Sequence, residues 1–196
     1  MPDSVYDLTA FAERLTKERR LKSLAGKIRR AQDLASLHAD LVMAVECLDA
    51  LAALLATPPA DDKLNKSITE ASLLCNAVVL YARATKTKSD ERKDCDLRPK
   101  FSPEQKTVHR ELCDLRDKAI AHFGSGGSYL GGWQVERVVL DATIVDDVRV
   151  AVATRRKTLD KKLMARARAQ IEVACELMRK LSREKIDEVT QELNQL

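Results

Sequence analysis

Apolar residues recur every three to four positions along most of this chain, and only one glycine, Gly26, precedes Gly124. That spacing puts the apolar side chains on one side of a 3.6-residue helix, and little interrupts it, so long amphipathic helices are expected. The first stripe is Val5, Leu8, Phe11, Ala12 and Leu15; after a basic stretch it resumes through Leu34, Leu37, Leu41, Val45, Leu48, Leu51 and Leu55. Pro58-Pro59 ends it, because a proline ring cannot continue a helix. A second long helix begins near Asp61-Asp62 and carries Ile68, Ala71, Leu74, Cys75, Val78, Val79 and Ala82. Apolar nearly all round, it belongs in the core.

Between Thr85 and Lys100 the apolar signal gives way to charge, which predicts a mobile charged loop over 85–100, or a short helix there, without a buried face. Ser102-Pro103-Glu104-Gln105 then reads as a helix start, with Ser102 as N-cap, Pro103 in the first turn and Gln105 closing a capping box. The helix should run about 20 residues to Gly124, whose freedom at positive φ suits a helix stop. A glycine-rich loop follows at 124–132, and the alternation in Gln134–Leu140 and Val148–Ala153 predicts a hairpin spanning 134–153. Residues 158–196 close the chain as one helix whose last two turns have few partners within a small bundle. The expected fold is mainly α: an up-and-down helical bundle, residues 1–196 as one domain, with a small β-hairpin inserted before a long C-terminal helix.

Five cysteines, an odd number without any C-x-x-C pair, read as reduced thiols rather than a disulfide framework or a zinc site. A cytoplasmic setting, without metal or cofactor, is the matching expectation. The opening Met1-Pro2-Asp3-Ser4 has no secretion-signal pattern, and the longest uncharged apolar run, Ala71 to Ala82, is 12 residues. A bilayer-spanning helix takes about 20, so no membrane anchor is expected. Net charge is only +4, but seven basic residues fall in Lys17–Arg30 and seven more in Arg155–Arg168. Such clusters attract polyanions, and they are equally well read as solvated helix faces, since few aromatic side chains interleave to stack bases.

The chemistry-bearing stretch is Arg116-Asp117-Lys118-Ala119-Ile120-Ala121-His122, running into the glycine-rich loop. With 18 arginines and three histidines in 196 residues, chance supplies about one arginine and histidine at such a spacing, so the context must carry the reading. That context is an acid after the arginine, an uncharged Ala119-Ile120-Ala121 step and a helix stop behind the histidine. Cutting RNA without a metal needs a base for the ribose 2'-hydroxyl, an acid for the leaving 5'-oxygen and a cation for the charge on phosphorus. Imidazole exchanges protons near neutral pH, and guanidinium grips phosphate in a fork that lysine cannot form. On an ideal helix His122 would lie about 120° from Arg116, so convergence requires the arginine to reach around or the helix to loosen at its end. His109, seven residues earlier, lies two turns back on nearly the same face. The plain structural alternative is that Arg116 pairs with a carboxylate such as Glu111 and His122 favours the negative helix end.

At Arg116 to His122 the chain resembles the HEPN superfamily, whose signature is arginine, four to six residues beginning with a polar one, then histidine. The likeness is nearest to the abortive-infection, U-type branch. Leu80-Tyr81-Ala82-Arg83 closing an earlier helix, His109 with Leu112 and Leu115, and Ala121-His122 leading into a loop agree with that branch. Residues 70 to 125 carry the likeness with specificity. It implies a HEPN-like bundle, commonly a homodimer joining two motifs in one cleft, and often metal-independent endoribonuclease activity in a defence or toxin setting. Arg116 would then hold the scissile phosphate, His122 move the proton and Asp117 orient the pair; Arg83 and His109 are weaker candidates for the same cleft. RNA is the implied substrate, and an antitoxin or regulatory protein an implied partner. Members silenced by a nucleotidyltransferase carry a tyrosine two positions past the histidine, where this chain has Gly124.

Two other functions stay open on the sequence. One is a non-catalytic, HEPN-like dimeric module that binds protein or RNA. The other, a nucleic-acid-binding regulator, would use the two basic clusters, but no helix-turn-helix spacing supports it.

Overall fold

Asp7 starts the first helix by side-chain capping, its Oδ1 accepting from the amides of Thr9 at 2.8 Å and Ala10 at 3.2 Å. In the computed structural model, which describes residues 6–57, 63–86, 88, 92–120, 134–141, 149–156 and 161–196, this helix is α1, Leu8–Lys17. Arg19 (φ 56°) and Leu21 (φ 40°) then stand in the left-handed region, at about 1 kcal/mol or more each for residues carrying a Cβ. Their turn folds α1 against α2, Lys22–Ala56, which at 35 residues is about 52 Å long. Thr57 is extended (ψ 133°), as the residue before Pro58 must be, and α2 stops there.

The helices α2, α3 (Lys63–Thr85) and α5 (Lys161–Leu193) form the bundle, with α4 (Pro103–Leu115) against it. Leu34, Leu37, Leu41, Ala44, Leu48 and Leu51 make the buried stripe of α2. They meet Leu74, Ala77, Val78 and Tyr81 of α3 and Leu163, Ala167, Ile171, Ala174 and Met178 of α5. Alanines at 44, 77, 167 and 174 let the backbones approach, and the larger side chains fill the rest. Leu55 and Ile68, expected to face the core, are instead 42% and 55% exposed.

A second apolar cluster joins Ala12, Leu15, Leu24, Ala25 and Ile28 to Val189, with Leu193 packed alongside. The end of α5 therefore does have partners, against the sequence expectation, because the turn after α1 carries that helix back over it. Lys27 donates to Glu192 Oε2 at 2.6 Å across the same junction. Residues 92–97 also depart from expectation: Leu97 is buried and the 3-10 turn Arg98–Lys100 leads into buried Phe101. Arg30 holds this segment, donating from Nη1 to the carbonyls of Lys93 and Asp94 at 3.1 Å each.

Strands β1 (Gln134–Asp141) and β2 (Arg149–Arg156) pair antiparallel, Gln134 opposite Arg156 and Asp141 opposite Arg149. The expected helix start at Asp61-Asp62, the stop at Gly124 and the loop over 124–132 lie outside the described residues. Among the described residues no helix is long and apolar enough to cross a membrane.

Candidate functional site

The capping box sets where α4 begins. Ser102 Oγ accepts from the Gln105 amide at 3.2 Å, and Gln105 Oε1 accepts from the Ser102 amide at 2.8 Å. From that start His109, Leu112, Cys113 and Leu115 face inward. The α-helix does not continue to the expected stop: from Arg116 to Ile120 the backbone turns as a π-helix. Its i to i+5 bonds widen the turn, a local change that recurs at functional sites in helices. A wider turn also alters the angle between successive side chains, so an ideal-helix projection from Arg116 does not apply beyond this point.

Arg116 is partly exposed and donates from Nη1 to Asp117 Oδ1 at 2.8 Å. It does not pair with Glu111, which instead accepts from Arg166 of α5. The other carboxylate oxygen of Asp117 accepts from Lys86 Nζ, at the end of α3. Two cations from different elements thus share one carboxylate. Burial pushes the Asp117 carboxyl up, but the hydrogen bonds from Lys86 and Arg116 outweigh it and hold the group below its usual range. Asp117 is therefore ionised near neutral pH and serves to orient cations rather than to donate a proton. His122 lies outside the described residues.

Arg83 is not brought to this place. It turns to α2, donating from Nε to Asp40 Oδ2 at 2.9 Å, with Nη2 on the other oxygen. Arg92 Nη1 adds a bond to Asp40 Oδ2 at 2.9 Å and one to Ser36 Oγ at 3.0 Å. This cluster pins the segment after α3 to α2 around the buried Asp40 carboxylate, a structural use of charge.

His109 is 6% exposed, so it touches the groove it lines with only a small part of its ring. Its Nδ1 lies 2.9 Å from the Tyr81 hydroxyl, which accepts from Gln170 Nε2 at 3.1 Å. With that lone pair used, the hydroxyl proton is directed to Nδ1, and neutral His109 keeps its own proton on Nε2. The Phe101 ring packs 5.6 Å away, centroid to centroid. Among the described residues Gln170 Oε1 is buried without a partner, a standing cost of this network.

Burial lowers the His109 pKa below the ordinary 6.5, and nearby Arg98 and Lys86 push the same way against Asp96. The folded protein thus favours the neutral ring, while the unfolded chain takes up a proton below about pH 6.5. Stability contributed by neutral His109 is present above that pH and is lost as the pH falls below it. We expect Tm to fall between pH 7.5 and 5.5, and to fall less in His109→Gln. An equal drop in both proteins would assign the loss elsewhere, for instance to His38, whose pKa burial also lowers.

A groove of about 330 Å³ opens between the end of α3, residues 94–98 and α4. His109 and Cys113 line it with Thr85, while Lys86, Lys88, Arg98 and Arg110 supply cations and Asp94, Asp96 and Asp114 acids. Hydrogen bonding from Arg98 holds the Asp96 carboxyl down at about 2. Burial pushes the Cys113 thiol up to about 11, so it is not a thiolate nucleophile near neutral pH. Lys86 is the residue sequence reasoning missed. It stands in a run of charges just past an apolar helix, and nothing local distinguishes it from Lys88.

Fold and site together describe a helical bundle with a paired arginine and aspartate on a widened helical turn, next to a charged groove. Comparison with known proteins returns no match to a family model, to a curated protein or to a solved structure.

Proposed function

We propose that this protein is a metal-independent endoribonuclease of HEPN type, acting in a defence or toxin setting. The observation that carries the reading is the Arg116–Asp117 pair on the π-turn: a half-open guanidinium, oriented by an ionised carboxylate, where α4 loosens. Arg116 binds the non-bridging oxygens of the scissile phosphate. His122 takes the 2'-hydroxyl proton, the 2'-oxygen attacks phosphorus, and the 5'-oxygen leaves with a proton. The products are a 2',3'-cyclic phosphate and a free 5'-hydroxyl. One imidazole cannot be base and acid in the same step, so the reading includes a homodimer in which the partner supplies the second histidine. It also includes a HEPN-like arrangement of the bundle with its hairpin, a cytoplasmic location and an antitoxin or other protein that restrains cutting.

The test is incubation of the purified protein with RNA in the presence and absence of a chelator, followed by analysis of the new ends. Cutting that survives the chelator and leaves cyclic phosphate ends is expected. Dependence on added metal, or 3'-hydroxyl products, would rule the mechanism out.

A second reading, a non-catalytic HEPN-like binding module, is favoured by one observation. Val138 and Val150 on the β-ribbon are 75% and 70% exposed, and two strands alone are marginal in water. Tight binding of RNA or protein with no product released would support it.

A further inference from the structure

We infer that the groove between α3 and α4 is the subsite for the nucleotide adjoining the scissile phosphate, with Lys86 as the cation common to groove and motif. This rests on the ribonuclease reading of Arg116. Continuity is the first observation: Lys86 lines the groove and also donates to Asp117, whose other oxygen accepts from Arg116. A strand whose phosphate meets Arg116 therefore passes Lys86 to enter the groove.

Size and chemistry agree. The groove holds about 330 Å³, inside the range of roughly 300–1,000 Å³ that small-ligand sites occupy. Its charges divide into spent and available. Arg98 is committed to Asp96, at 2.8 Å and 2.7 Å, and Asp114 to Lys118 at 3.0 Å. Among the described residues Lys88 and Arg110 have no carboxylate partner, nor does the Asp94 carboxylate have a cationic one. Two cations without carboxylate partners suit phosphate oxygens, and a carboxylate without a cation accepts from base amino groups. A simple inorganic anion would be repelled by Asp94; a nucleotide uses both signs. The Tyr81 bond fixes the His109 ring, so the groove wall is held in one orientation by the buried chain to Gln170.

The experiment measures binding of the full chain to a 2'-O-methylated oligoribonucleotide, which has no 2'-hydroxyl to attack and so reports affinity whether or not the protein cuts RNA. The Lys88→Glu/Arg110→Glu pair is expected to weaken binding at least tenfold and to lower the slope of log affinity against log salt by about one or more. A control pair, Lys180→Glu/Arg183→Glu, makes the same change in net charge at exposed positions of α5 that do not line the groove. It should bind as the parent does. Equal weakening by both pairs would mean diffuse attraction and overturn the subsite, as would a groove pair within twofold of the parent. Loss of adenosine monophosphate binding with unchanged oligonucleotide binding would assign the groove to a free nucleotide and also overturn it. Cutting that persists in His122→Ala would defeat the catalytic reading while leaving this affinity comparison interpretable.

Discussion

Replacing His122 with alanine is expected to lower RNA cutting by about 10²–10⁴-fold, the usual contribution of a positioned acid or base. The loss should fall on the rate at saturating RNA rather than on affinity, because imidazole acts on protons that move only in the transition state. Arg116→Lys separates the two roles. Lysine keeps the charge but not the fork, so cutting should fall while attraction to RNA largely remains. The ionised state of Asp117 adds a constraint: Asp117→Asn keeps the shape and removes the charge that orients Arg116 and Lys86. It should reduce cutting without abolishing it. Single-turnover assays with a defined oligoribonucleotide measure all three. Full activity in His122→Ala would show that the proton is moved by another group and end the assignment.

Removing one oxygen atom from the core has the second largest expected effect. Tyr81 is completely buried, and its hydroxyl links His109 of α4 to Gln170 of α5. Tyr81→Phe preserves the ring but strands the Gln170 amide and leaves His109 Nδ1 only the weak contact with Cys113 Sγ at 3.9 Å. Each orphaned buried polar group costs about 1–3 kcal/mol, and His109 can recover some water from the groove it lines, so a net loss of about 2–4 kcal/mol is expected. For a chain of this length that corresponds to a fall in Tm of about 4–16 °C. Adding Gln170→Leu should return part of the loss, since the second orphan is then gone and Oε1, already unpartnered, is removed as well. Denaturant titration of the single and double variants measures the coupling. A Tyr81→Phe protein within about 0.5 kcal/mol of the parent would mean that the network contributes specificity and not stability.

Much of the helical fold was legible because its causes are local. The Leu34-to-Leu51 stripe, the proline stop after Ala56 and the Ser102–Gln105 box each depend on residues within a turn or two of one another. The helix bundle follows from those stripes, since each must be covered. The site was legible only as a motif. Arg116 and Asp117 could be named from order along the chain, but Lys86 reaches Asp117 across 31 positions, and no local pattern predicts that meeting. Arg83 shows the converse: its place at the end of α3 looked site-like, whereas the Asp40 carboxylate, 43 positions away, claims it.

Periodicity, caps and breakers, then, determined where the chain is helical and which faces seek cover, since a helix needs only its own neighbours to form. Tertiary packing alone decided which polar groups are shut in together. Tyr81 meets Gln170 across 89 positions, and Leu97 is buried within a stretch of charges. The physical reason is that burial sets the strength of every charge and hydrogen bond, and burial is a property of the packed bundle rather than of any segment.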